Sequence, residues 1–159
     1  MSGDTRDRTG GTLTRRRRPN FDLITVRRML PLVRRIVEDI VNDSAQLHKY
    51  QFEQEGLDRN KVSLSWPERQ RRYYVHGEVA RLQGRLDEER RELDDLGAVL
   101  FNPAVGSVGF PTVIHGQPAY FDWQLGEESV HFWHYDGESL RRPIPSNPAD
   151  LALRPVGTA

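Results

Sequence analysis

The chain has 159 residues, with 23 Lys and Arg balanced by 23 Asp and Glu, so its formal net charge is zero. That size suits one domain, and the balance excludes a uniformly basic nucleic-acid binder while allowing a local basic patch. The absence of Cys excludes disulfides, Cys zinc sites, iron–sulfur clusters and a thiol nucleophile.

Residues 1–20 hold six Arg against Asp4 and Asp7 and almost nothing apolar. Such a segment buries too little surface to offset its ordering entropy, so it reads as a disordered basic tail. Arg15, Arg16, Arg17 and Arg18 form a run suited to phosphate or an acidic partner, and equally to solvation. No apolar run approaches the roughly 18 residues of a membrane span, and the N-terminus lacks an apolar signal core. The expectation is a soluble cytoplasmic chain with no membrane partner.

From Leu23 the apolar residues recur at spacings of three and four: Val26, Leu30, Val33, Val37, Ile40, then Ser44 and Leu47. This predicts a long amphipathic helix with a coiled-coil-like stripe. Asp22 suits its N-cap, with Phe21 as a staple, and Pro31 is expected to kink it. Arg27, Arg28, Arg34 and Arg35 read as a solvated face. Residues 56–66 break the pattern. Ser65 before Trp66-Pro67 then reads as the cap of a second helix, striped by Val75, Val79, Leu82, Leu86, Glu89, Leu93 and Leu96. Gly97 suits the position just past its end. A short connection makes the two helices an antiparallel hairpin. A stripe this long needs more partner surface than the hairpin offers, from a second copy or from the rest of the chain. A homodimer is therefore expected.

Eight of the fourteen aromatic residues lie in 101–135. Alternation through Val108, Phe110, Thr112 and Ile114, then Ala119, Phe121, Trp123 and Leu125, predicts two strands joined at Gly116-Gln117. That register sets Ile114 opposite Ala119 and Phe110 opposite Trp123. A third strand, 130–135, is placed with Trp123 opposite Phe132 and Phe121 opposite His134. His134 then joins the apolar face, while Trp133 and Tyr135 share the other face with Tyr120, Asp122, Gln124 and His131. Residues 98–101 add a fourth strand or a lead-in loop. After Pro143 the chain reads as irregular and Pro-rich. The expected fold is α+β, a long antiparallel hairpin packed through Phe110, Phe121, Trp123 and Phe132 on a three- to four-stranded antiparallel meander.

Four motifs carry a resemblance: Phe-Asp-Leu-Ile-Thr-Val-Arg-Arg-Met-Leu-Pro-Leu-Val (21–33), Gly-Phe-Pro (109–111), Trp-Gln-Leu-Gly-Glu (123–127) and Phe-Trp-His (132–134). In order and spacing the chain resembles a bacterial family known as domain of unknown function 2203 over roughly 21–143. The resemblance implies a helical hairpin followed by a small sheet and brings no established activity. The chain departs from the family pattern at Gly109 and Tyr135, where acidic residues are usual, and at Gln124, where Arg is usual.

The polar residues of the sheet are His115, Asp122, Glu127, His131, His134 and Asp136. His and carboxylate are metal-ligand types, so His131, His134, Asp122 and Glu127 form the candidate metal or small-ligand set. Against it, His131 and His134 are three apart in a strand and face opposite ways, and His134 also suits a packed core position bonded to a helix. Glu127 suits the turn backbone or a pair with Arg141 or Arg142. No nucleophile elbow, phosphate loop or dinucleotide Gly pattern is present, so no catalytic residue or cofactor is identified. Arg69, Arg71 and Arg72 open the second helix, where cations oppose its dipole, and are a candidate partner contact. Three function classes remain: a non-enzymatic interaction or assembly protein working through the hairpin, a metal- or small-ligand-binding protein, and a nucleic-acid or ribosome accessory using the basic tail.

Overall fold

The computed structural model describes residues 18–152. The run Arg15–Arg17 and the rest of the N-terminal segment before Arg18 lie outside the described residues. Helix α1 (Leu23–Arg59) runs unbroken through Pro31 and is capped by Asp22, whose side chain accepts from the Thr25 amide. Helix α2 (Trp66–Asp95) starts on a capping box in which Ser65 and Glu68 satisfy each other's backbone amides. That reciprocal pairing is worth about 1 kcal/mol. With 37 and 30 residues the helices are about 55 and 45 Å long.

Five strands follow in sequence order: β1 (Val99–Asn102), β2 (Ser107–Ile114), β3 (Gln117–Gln124), β4 (Phe132–Tyr135) and β5 (Arg142–Pro143). They form one antiparallel sheet in the order β1-β2-β3-β4-β5. The meander thus has one strand more than expected, since β5 is two residues long and shows no periodicity. Beyond it the chain is irregular except for a 3₁₀ turn at Pro148–Leu151. That turn buries Leu151 and places its carbonyl on the His115 amide at 2.9 Å.

Two registers differ from expectation. The β2–β3 turn is His115-Gly116, both at positive φ as a type I′ turn requires, at 52° and 76°. Phe110 therefore faces Phe121, and Val108 faces Trp123. The shift is two residues, so the inner face keeps its predicted members. At β3–β4 the shift is odd: Phe121 faces Trp133, and Tyr120 faces His134. A slip of one residue turns every side chain over. Trp133, and not Phe132, joins Phe110, Phe121 and Trp123 in the core, and His134 lies on the outer face.

The core is one cluster. Val26, Leu30, Val33, Val37 and Ile40 of α1, with Leu86 and Leu93 of α2, are buried beneath the inner face of the sheet. Each such side chain contributes about 1.5–3 kcal/mol. The stripe is thus closed within a single chain. Arg27 and Arg34, expected to be solvated, instead donate to the carbonyls of Val130, Glu127 and Glu128 in the β3–β4 loop. No described helix is long and apolar enough to cross a membrane.

One polar pair interrupts the hairpin interior. Asp43, buried, takes the α1 stripe position expected of Ser44. Its Oδ2 lies 3.0 Å from Arg85 Nε. Burial and the neighbouring Asp43 carboxylate push the Glu89 carboxyl from 4.5 up to about 7. A carboxyl raised on folding stabilises the fold below its unfolded value and loses that contribution as it ionises. Between pH 4.5 and 7 the wild type should therefore lose stability that Glu89→Gln retains. Urea unfolding of both proteins across that window checks this. Parallel pH profiles would refute it.

Candidate functional site

The polar cluster of the sheet is assembled on its outer face. β3 contributes Tyr120 and Asp122, and β4 contributes His134. Asp122 Oδ2 lies 3.2 Å from His134 Nδ1 and accepts from Arg141 Nε at 3.1 Å. Arg141 Nη2 is also 2.7 Å from Glu127 Oε1, and its guanidinium stands 4.3 Å from the centre of the Phe132 ring. Glu127 is held by the turn itself, since its Oε2 accepts from the Gln124 amide. Arg141 is therefore the hub that joins a carboxylate of β3 to a carboxylate of the turn that follows it. The other oxygen of Asp122, Oδ1, is buried and has no protein donor.

Aromatic rings wall the cluster. Tyr120 stacks on His134 with centroids 5.4 Å apart, and Phe101 of β1 meets Tyr120 edge-on at 5.2 Å. Phe101 lies across Gly109, where a Cβ would collide with its ring. Only Gly lets that ring lie against the sheet. Gly109 is directly across from Asp122, so the carboxylate at this place in the sheet comes from β3. Arg18 donates to the Tyr120 hydroxyl at 2.6 Å. Phe101, Tyr120, Asp122, His134 and Arg141 line an open pocket of about 410 Å³ together with Asp136, Glu138 and Ser139.

Of the candidate ligand set, the fold brings together His134, Asp122 and, through Arg141, Glu127. His131 stays exposed. His115 sits in the β2–β3 turn and bonds Tyr135 instead. Among the described residues no group of three or more His, Asp and Glu is placed to hold a metal ion. The guanidinium of Arg141 occupies the place between Asp122 and Glu127.

A second cluster lies at the far end of the hairpin. Arg71 grips Glu53 with two hydrogen bonds of 2.6 and 2.9 Å. Arg72 donates to Asp58 at 2.6 Å, and His76 Nε2 is 3.0 Å from the same oxygen. Hydrogen bonds from His76 and Arg72 hold the Asp58 carboxyl below its ordinary value. Two of the three candidate arginines are thus tied across the hairpin. Arg69 is different: among the described residues neither it nor Lys61 has a carboxylate within ion-pair distance. Trp66, Arg69, Tyr73 and His76 follow at spacings of three and four and share one face of α2. Tyr73 is 85% exposed and Trp66 64%. Lys61, Leu64, Arg69, Arg72, Tyr73 and His76 line a pocket of about 440 Å³.

The DUF2203 family, described as an uncharacterized conserved protein, matches residues 20–144. The chain belongs to the DUF2203 family. No curated protein and no solved structure matches it. Both clusters fall within the matched span of this DUF2203 protein, apart from Arg18.

The sequence offers the Glu127–Arg141 pair and a strand ending near Phe101, and the structure has both; the reach of Arg141 to Asp122 and the edge-on contact of Phe101 with Tyr120 are not visible in its spacing. Trp66 and Tyr73 did carry a signal, the three–four spacing that links them to Arg69 and His76. The Arg141 bridge has a direct consequence. Elemental analysis of protein purified without chelator should find well under one metal ion per chain. A stoichiometric metal lost in His134→Ala would overturn this reading of the cluster.

Proposed function

We propose that this DUF2203 protein is a non-enzymatic binding protein, that its hairpin is the contact arm, and that its partner is a single-stranded nucleic acid. The observation that carries the reading is the stripe Trp66–Arg69–Tyr73–His76 beside Lys61, which couples exposed aromatic rings to unpaired cations. Stacking platforms next to free positive charge are what a flexible polyanion with π-faces requires. The segment of the hairpin beyond the sheet supports the reading. The core that α1 and α2 share with the sheet takes in α1 to Ile40, with Val41 and Leu47 against it, and Leu86 and Leu93 of α2, and farther out the buried side chains of α2 are Val75, Val79 and Leu82. The ion pairs of Arg71 and Arg72 take up those two charges and leave Arg69 and Lys61 as the cations beside the rings. Self-association would draw on exposed side chains such as Phe52 and Val62, because the long stripe is already closed in one chain.

Fluorescence anisotropy of labelled oligouridylate with the full chain tests the proposal. Binding should weaken steeply as salt rises. Tyr73→Ala should cost about tenfold in affinity, in line with roughly 1–3 kcal/mol for one stacked base. Arg69→Glu should cost a similar factor and flatten the salt dependence. No binding at low salt refutes the reading. So does binding that ignores both substitutions and disappears when Arg15–Arg18 are replaced by Ser, which would move the contact to the N-terminal segment.

A further inference from the structure

We propose that the pocket at the hairpin end selects a strand terminus, taking a terminal phosphomonoester between Lys61 and Arg69. The inference rests on the reading of this end as a single-strand contact, and it adds which part of the strand is preferred.

The pocket lies where the chain reverses. Lys61 and Leu64 of the connection line one part of it, and Arg69, Arg72, Tyr73 and His76 of α2 line the rest. At about 440 Å³ it falls in the range of roughly 300–1,000 Å³ that holds a small ligand, and so it suits one nucleotide rather than a run of them. Lys61, Arg69 and Tyr73 are exposed, so their charged and aromatic groups are within reach of a ligand.

Charge decides which part of the strand fits. Asp58 is the carboxylate that meets these side chains, and it accepts from Arg72 Nε. Setting Asp58 against Arg72 cancels that cation. His76 adds none: the Gln54 amide donates to its Nδ1 and its Nε2 faces Asp58, which is the pairing of a neutral ring. Glu53 is taken by Arg71, and Glu68 turns back onto the Ser65 amide. Among the described residues, Lys61 and Arg69 remain as two cations with no carboxylate within ion-pair distance.

Two uncompensated charges in one pocket exceed what an internal phosphodiester requires, since it carries a single negative charge. A phosphomonoester carries about −1.5 to −2 at pH 7 and three acceptor oxygens. It matches the pair in charge and offers each cation an oxygen. Tyr73, one helical turn beyond Arg69, then presents its ring to the base of the same nucleotide. A terminal nucleotide also needs only one way out of the pocket, whereas an internal one needs two.

The test is competition by unlabelled oligouridylates against a labelled one on the full chain, read by fluorescence anisotropy. Three strands of one length are compared: one with a 5′-phosphate, one with a 3′-phosphate, and one with hydroxyls at both ends. A phosphorylated strand should compete about tenfold better than the hydroxyl strand, the gain of a charge-assisted contact. A difference between the two phosphorylated strands gives the polarity of the bound end. Lys61 is exposed, and its one bond in the connection is made by its backbone amide, so Lys61→Gln leaves the fold intact. It should erase most of the gain and weaken the hydroxyl strand far less. Replacing Arg15–Arg18 by Ser should leave the gain as it is. Equal competition by all three strands overturns the inference and leaves the single-strand reading standing. The inference is also overturned by a gain that persists in Lys61→Gln, or by one that vanishes with Arg15–Arg18, because the phosphate is then held elsewhere. If the labelled strand itself fails to bind at low salt, the single-strand reading falls and the inference falls with it.

Discussion

Trp123 must lie in the core, and its indole N–H must still find an acceptor. Both demands are met at once. The ring is fully buried against the α1 stripe, and Nε1 donates to the Glu127 carbonyl at 3.0 Å. Arg34 of α1 reaches the same turn and stands 5.8 Å from the indole ring. The turn after β3 is therefore pinned from inside by Trp123 and from the helix by Arg34. Its position in turn delivers the Glu127 side chain to Arg141, and Arg141 to Asp122. The outer polar cluster thus depends on how the inner face is packed. A substitution that let Trp123 move would disturb the site without touching it.

How much of this was legible depends on parity. Helix positions were readable because caps and stripes reinforce each other: Asp22, Ser65 and Gly97 close segments whose apolar spacing already implied a helix. The β2–β3 hairpin was readable by face because a two-residue error preserves parity. The β3–β4 connection was not. Val130 is fully buried yet lies outside β4, so it looks like a strand residue and makes the loop seem shorter than it is. The run Phe132-Trp133-His134-Tyr135 carries aromatic residues at both parities, so alternation does not choose between the two faces. Packing decides it. Trp133 fills the space opposite Phe121, while the guanidinium of Arg142 covers its ring at 5.1 Å.

The candidate site was legible in its residue types and in the bonds of Glu127, but not in the link from Arg141 to Asp122. Alternation sets Asp122 on the outer face, where it is found, but sets its partner His134 on the inner one. The connecting group, Arg141, arrives from an irregular segment next to the two-residue strand β5, where neither period nor propensity carries information. At the hairpin end the arginines stood out as a cluster, but a linear cluster does not distinguish paired from free charge. Only the antiparallel packing of α1 shows that Glu53 and Asp58 claim Arg71 and Arg72 and leave Arg69 unclaimed.

The two ends of the molecule are stabilised by different physics. Near the sheet the helices are held by apolar burial from both sides, with Val26, Val33, Val37 and Leu93 fully enclosed. Farther out the interior narrows to Val75, Val79 and Leu82, and ion pairs at the surface take over the outer turns. Exposed ion pairs contribute little to stability, so the outer hairpin relies on its capping box and on helix continuity. Segments with few buried apolar contacts open locally at lower free energy than the core does. The aromatic rings at the hairpin end are thus carried by the most adaptable part of the fold, where a flexible strand is most easily accommodated.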